Sequence, residues 1–211
     1  MREEDLHLAI SQRRIMRRHL LLGGGVALAG AAWPRSGLAT WNAHLVQATP
    51  ESHQPLALSP EELETLRAVV GRLIPTDDLG PGADVAGVHI FIDRGLAGPN
   101  RRFLPAFHAL LTALQSAGFA AATVEEQDKL LTELEAGTLP RAPEGAFPLL
   151  LEQTREGMFG DPVYGGNQDF AGWDLIGYPG VKLLWTEAEQ AIDAEVKATH
   201  TSVAQFGGKG W

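Results

Sequence analysis

"SPEELETLRAVVGRLIP", Ser59 to Pro75, decides the fold class. Ser59 supplies an N-cap, Pro60 suits the first helical position, and Glu62 lies three residues after the serine, where a capping box places its acid. Leu63, Leu66, Val69, Val70 and Leu73 then recur at the three- and four-residue spacing of one helical face, and Pro75 ends the run. A helix with one apolar stripe must bury it against other elements.

Reading onward, "TDDLGPG" is a loop, and Ala83 to Leu96 carries Val85, Val88, Ile92 and Leu96 along one side. Asn100 is positioned to cap a third helix running to Ala117, with Pro105 still near its first turn. Thr123-Val124-Glu125-Glu126 is a second capping box and opens a helix to about Glu135. Phe147 to Phe159 reads as a fifth helix, terminated by Asp161-Pro162. Thr186, with Glu189 three residues on, predicts a last helix to about Thr199. No hairpin signal or strand alternation is present, and no internal repeat. The expected fold is therefore mainly α: a compact irregular helical bundle with one long Gly/aromatic loop, preceded by an N-terminal signal segment. The expected organisation is a leader over 1–39, a linker over 40–58, a helical domain over 59–200 and a flexible or partner-docking tail over 201–211.

The leader has its own logic. "RRIMRRHLLLGGGVALAGAAWPRSGLAT" places arginines before an apolar run from Leu20 to Ala32. That run is 13 residues long, within the range of a signal core and short of the roughly 20 that a membrane crossing requires. Arg17-Arg18-His19-Leu20-Leu21 resembles the twin-arginine export signal, with Arg17, Arg18, Leu20 and Leu21 as its determinants. "GLA", Gly37 to Ala39, offers a small-residue cleavage pattern, so both cleavage after Ala39 and retention of the leader stay open.

Composition narrows the chemistry. The chain has 211 residues, a formal charge of −9 and no cysteine. Six of its 17 basic residues and only three of its 26 acidic ones precede Thr40, so the remainder is more acidic than the whole. An acidic body argues against nucleic-acid binding. Without cysteine, disulfides, thiolate nucleophiles, iron–sulfur clusters and covalent haem on this chain are excluded. The histidines form no HExxH or similar cluster, "GPGADVAG" is not a GxGxxG fingerprint, and no phosphate-binding P-loop occurs. Asp77, Asp78, Asp161, Asp169 and Asp174 are the candidates for acid–base or calcium chemistry, with Asp77, Asp78 or Asp169 serving an unrecognised enzyme, although turn and cap duty suits short acids in such loops. No catalytic, cofactor-binding or metal residues are assigned to this chain.

"DPVYGGNQDFAGWDLIGYPG", Asp161 to Gly180, mixes large rings with glycines. The glycines permit unusual backbone angles and close approach, while the rings anchor the segment to a surface. That surface is either a partner or the chain's own core. Tyr164, Gly165, Gly166, Asn167, Trp173, Tyr178 and Pro179 are the expected partner-interface residues.

Two longer stretches, "GMFGDPVYGGNQDFAGWDLIGYPG" (Gly157 to Gly180) and "LIPTDDLGPGADVAGVHIFIDRGLAG" (Leu73 to Gly98), resemble the gluconate 2-dehydrogenase subunit 3 family. The resemblance extends from Ser59 to about Gly180 and includes the twin-arginine leader. Met158, Gly160, Gln168, Phe170 and Asp174 depart from the residue types expected there. It implies a small, non-catalytic subunit of a membrane-associated dehydrogenase of sugars or sugar acids, acting on an acceptor other than NAD or oxygen. The implied partners are a large subunit of the glucose–methanol–choline oxidoreductase type, which binds FAD, a multihaem cytochrome c subunit, and the twin-arginine translocase during export. The implied location is the periplasm, on the cytoplasmic membrane through the complex. The alternative is a free-standing periplasmic helical binding protein or an unrecognised acid/base enzyme.

Overall fold

The computed structural model describes residues 53–207. The leader, including Arg17, Arg18, Leu20 and Leu21, lies outside the described residues, as do 208–211 of the tail. The described residues contain seven helices and no strand: α1 (Pro60–Leu73), α2 (Val88–Ala97), α3 (Leu104–Ser116), α4 (Val124–Glu135), α5 (Ala146–Phe159), α6 (Ala171–Ile176) and α7 (Ala204–Gly207).

Local chemistry sets the helix starts. Ser59 Oγ accepts from the Glu62 N–H at 3.2 Å, and the Ser59 N–H donates to Glu62 Oε2 at 2.8 Å. Thr123 and Glu126 form the same reciprocal pair at α4. These satisfy backbone donors that a helix start leaves without intrahelical partners. Elsewhere the helix starts differ from expectation. Residues 83–87 are turn, and left-handed Gly87 immediately precedes α2. Asn100 does not cap α3. Its side chain instead donates to Gln153 Oε1 at 2.7 Å, and a 3₁₀ turn at Arg101–Phe103 leads into the helix.

The core is a shared apolar interior. Leu66, Val69 and Val70 of α1 are fully buried, as are Val88 and Ile90 of α2, Phe107, Leu111 and Leu114 of α3, and Leu150 and Met158 of α5. Helix α1 packs on α3 and α2, and α2 packs on α5.

Two expectations need correction. Asp161–Gly180 is not one extended loop: it contains 3₁₀ turns at Pro162–Tyr164 and Gln168–Phe170 and then helix α6. Nor is Thr186–Thr199 a helix. The Thr186 cap forms, with the Thr186 N–H donating to Glu189 Oε2 at 3.1 Å, but only a 3₁₀ turn at Ala188–Gln190 follows. A cap lowers the cost of starting a helix; propagation in a short segment depends on burying one face. Ile192, on that segment, is fully exposed.

Candidate functional site

The two motif-bearing stretches fold against each other. The Gln168 N–H donates to the Ala86 carbonyl at 3.0 Å, joining the turn before α2 to the turn before α6. Asn167 is the hub of the second stretch and is fully buried. Its Nδ2 donates to the Gly160 carbonyl at 2.8 Å, and its Oδ1 accepts from the Gly172 N–H at 2.8 Å and the Trp173 N–H at 3.4 Å. One side chain thus ties the end of α5 to the start of α6. The amide suits the place twice over, because asparagine also tolerates the left-handed conformation found here, φ 47°.

Two glycines are required by proximity. A Cβ on Gly172 would lie 1.7 Å from the Met158 carbonyl oxygen, and one on Gly166 would lie 2.2 Å from that of Gly157. The second stretch therefore lies directly on the backbone of α5.

The rings complete the seal. Trp173 is only 4% exposed, and its indole N–H donates to the Phe159 carbonyl at 2.9 Å. Phe170 and Tyr178 pack on it with ring centroids at 5.4 and 4.8 Å. Helix α6 ends in a Schellman arrangement, with the Gly177 N–H on the Asp174 carbonyl and the Tyr178 N–H on that of Trp173. The returning chain locks the outer side: the His200 ring stacks on Phe170 at 4.8 Å, and its Nε2 pairs with Asp174 Oδ1 at 2.7 Å.

At the surface, the two stretches enclose a recess of about 130 Å³, with Leu79, Pro81 and Val85 on one wall and Gln168, Asp169 and Ala171 on the other. Leu79 and Val85 are exposed. Asp169 and Phe170 adopt left-handed angles, φ 53° and 61°. Such conformations cost about 1–3 kcal/mol each and persist only where surrounding contacts enforce them. Here the Asn167 bonds and the Phe170 ring contacts do so.

The carboxylates are dispersed. Asp77 Oδ1 accepts from the Leu79 N–H at 2.8 Å, a turn-stabilising bond, while Asp169 stands across the recess. Among the described residues no three His, Asp or Glu side chains converge on a metal position.

A further polar centre escaped the sequence reading. Asp93, on α2, is fully buried. It accepts from His53 Nε2 at 2.8 Å and from the N–H groups of Leu56, Ala57 and Leu58 at 2.8, 2.9 and 2.9 Å. Burial alone would raise its pKa; these four bonds outweigh burial and hold it below the usual value. Segment 53–58 is thereby fastened to the domain. His89, one turn earlier, is buried without a hydrogen-bond partner for Nδ1. Burial, aided by the nearby Arg67 and His53 charges, pushes its pKa down to about 4.

The expected interface residues separate into two groups. Gly165, Gly166, Asn167 and Trp173 are brought together inside the chain's own core. Tyr164 and Tyr178 are exposed and Pro179 is half-buried. Trp173 turns inward because its N–H finds the free carbonyl at the end of α5 and its ring fits between Phe170 and Tyr178. Val85, expected on the packed side of the second helix with Val88, Ile92 and Leu96, is instead exposed, because residues 83–87 form a turn ahead of α2. Leu79, Leu183, Leu184, Trp185 and Ile192 are exposed apolar side chains to which the sequence assigns no role. Leu183-Leu184-Trp185, three large apolar residues in succession beside no reliable apolar face, was the available signal.

The family model described as gluconate 2-dehydrogenase subunit 3 matches residues 60–180, more than half of the chain. No curated protein and no solved structure matches. The chain belongs to the gluconate 2-dehydrogenase subunit 3 family.

Proposed function

We propose that this family member is the non-catalytic small subunit of a membrane-associated, FAD-dependent dehydrogenase of sugars or sugar acids. In this reading it escorts the folded flavoprotein through twin-arginine export and stabilises it in the periplasm. The observation that carries the proposal is the family match over 60–180, whose description marks a subunit within a dehydrogenase complex. FAD belongs to the large glucose–methanol–choline-type subunit, and haem c to a third, multihaem subunit that passes electrons onward. The geometry gives physical support. The matched segment builds a buried, glycine-tight platform and leaves Leu79, Val85, Tyr164 and Tyr178 exposed. Exposed apolar and aromatic groups on a rigid base suit partner recognition.

The export half is tested by changing Arg17 and Arg18 together to Lys in the full-length chain co-produced with the flavoprotein subunit. The expected result is large subunit retained in the cytoplasm, measured by fractionation and flavin fluorescence; undiminished export of that subunit overturns the escort role. The subunit half is tested by affinity purification of the full chain from solubilised membranes, followed by dye-linked assays on a sugar panel. Dehydrogenase activity should follow the tagged chain, and activity of the purified chain by itself overturns the non-catalytic assignment.

A further inference from the structure

Beyond Gly180, where the family match ends, the chain leaves the platform and returns to it. The neck is closed by hydrogen bonds. The Val181 N–H donates to the Thr201 carbonyl at 2.8 Å, and the Thr199 N–H donates to the Pro179 carbonyl at 2.7 Å. Just past the neck, Ser202 Oγ and the Val203 N–H donate to the Asp161 carboxylate at 2.5 and 2.8 Å. Both ends of the intervening segment are therefore fixed to the aromatic platform.

What the neck projects is apolar. Leu184 is 86% exposed, Ile192 is fully exposed, and Leu183 and Trp185 are also exposed. Isolated exposed apolar residues are ordinary, but three in succession on a pinned loop, with a fourth on the same loop, are not. Ile176 and Tyr178, on the platform before the neck, are exposed as well. The loop is organised before any partner arrives. Lys182 pairs with Glu189 and sits over the Trp185 ring at 4.9 Å, while Thr186 caps the turn at Glu189.

Charge selects the occupant. Glu187, Glu189, Asp193 and Glu195 intersperse the apolar residues, against Lys182 and Lys197. An anionic lipid surface would repel this loop, and so would a second copy of a chain whose formal charge is −9. An apolar cleft with a basic rim is complementary to it.

We propose that residues 181–199 are a docking loop that inserts Leu183, Leu184, Trp185 and Ile192 into a basic-rimmed apolar cleft on the catalytic subunit of the dehydrogenase. The proposal rests on the reading that this chain is such a subunit. Because the loop lies outside the family-matched residues, it supplies partner identity, while the matched platform supplies the base that holds it.

The test uses the tagged full-length chain co-produced with the catalytic subunit and compares wild type with Leu184→Asp, Ile192→Asp and Leu184→Met. Flavin-bearing subunit in the eluate is quantified beside the melting temperature of the tagged chain. Both aspartate variants should retain about tenfold less partner or worse at unchanged melting temperature, and Leu184→Met should retain the wild-type amount. Retention by wild type should also fall as salt rises from about 50 to about 500 mM. Undiminished retention by both aspartate variants overturns the docking loop while leaving the subunit assignment standing. Absence of any dehydrogenase subunit from the wild-type eluate overturns the subunit assignment itself. Leu184-dependent binding to anionic vesicles, or Leu184-dependent self-association in sedimentation, overturns the choice of occupant.

Discussion

Trp173 and Trp185 stand twelve positions apart and are used in opposite ways. Trp173 is 4% exposed, donates its indole N–H to a carbonyl at the end of α5, and is enclosed by two rings. Trp185 is 41% exposed and has a lysine over its face. The first belongs to a platform sealed by its own chain, the second to a loop that the chain holds away from its core. An aromatic residue in a glycine-rich or irregular segment therefore says little about its role until its N–H and its ring faces have been accounted for.

The contrast is broken most severely at Gly172. A methyl group there collides with the Met158 carbonyl, an atom of α5 backbone that cannot rotate away. Gly172→Ala is expected to cost more than about 4 kcal/mol, or to prevent folding, in urea denaturation. A wild-type midpoint would mean that the platform does not lie against α5 as described.

The tryptophans themselves give the sharpest pairing. Trp173→Ala should cost about 3–5 kcal/mol, the range for truncating a large buried ring, with its hydrogen bond lost as well. Trp185→Ala should shift stability by no more than about 0.5 kcal/mol, as surface substitutions do. Equal losses from the two variants, by chemical denaturation, would erase the distinction between platform and loop.

Acidification should weaken the domain before it reaches the loop. His89 is neutral when folded and takes up a proton when exposed by unfolding. Its folded pKa of about 4 lies below the ordinary 6.5, so its contribution is fully present above pH 6.5 and is lost as pH falls to about 4. The expected decline is of the order of 3 kcal/mol. Asp93, held below its usual value, adds a loss of the same sign beginning as pH falls through about 3.8. Stability measured against pH should therefore fall across that window, and His89→Leu should flatten it between pH 6.5 and 4. An unchanged slope in that variant would remove His89 as the cause.

The helical class was legible because capping boxes and apolar stripes are local: Ser59 with Glu62 and Thr123 with Glu126 act as their spacing predicts. The family was legible because its two motifs are long. What was not legible depends on residues distant in sequence. Asn167 acquires its role from Gly160 and Gly172, Trp173 from Phe159, and Asp93 from a segment some 35–40 positions earlier. Thr186 and Glu189 show the complementary failure. Their pairing is local and forms as predicted, yet the helix it was expected to start finds no face to bury.

Glu189 provides the smallest test. Its carboxyl is held down to about 2, first by the Lys182 side chain and then by the Thr186 N–H and hydroxyl. A carboxylate with a lowered folded pKa contributes above its ordinary value of 4.5 and loses that contribution as pH falls toward 2, so the staple is fully formed at neutral pH. Being exposed, it holds the loop's shape more than the domain's stability. Glu189→Gln keeps the side chain's size but removes the charge opposite Lys182, which frees the lysine to leave the Trp185 ring. The variant should melt with wild type and retain about half as much catalytic subunit, a loss attributable to preorganisation. A lowered melting temperature would instead place this turn within the cooperative domain. That result would join the loop to the platform from which its exposed leucines and tryptophan distinguish it.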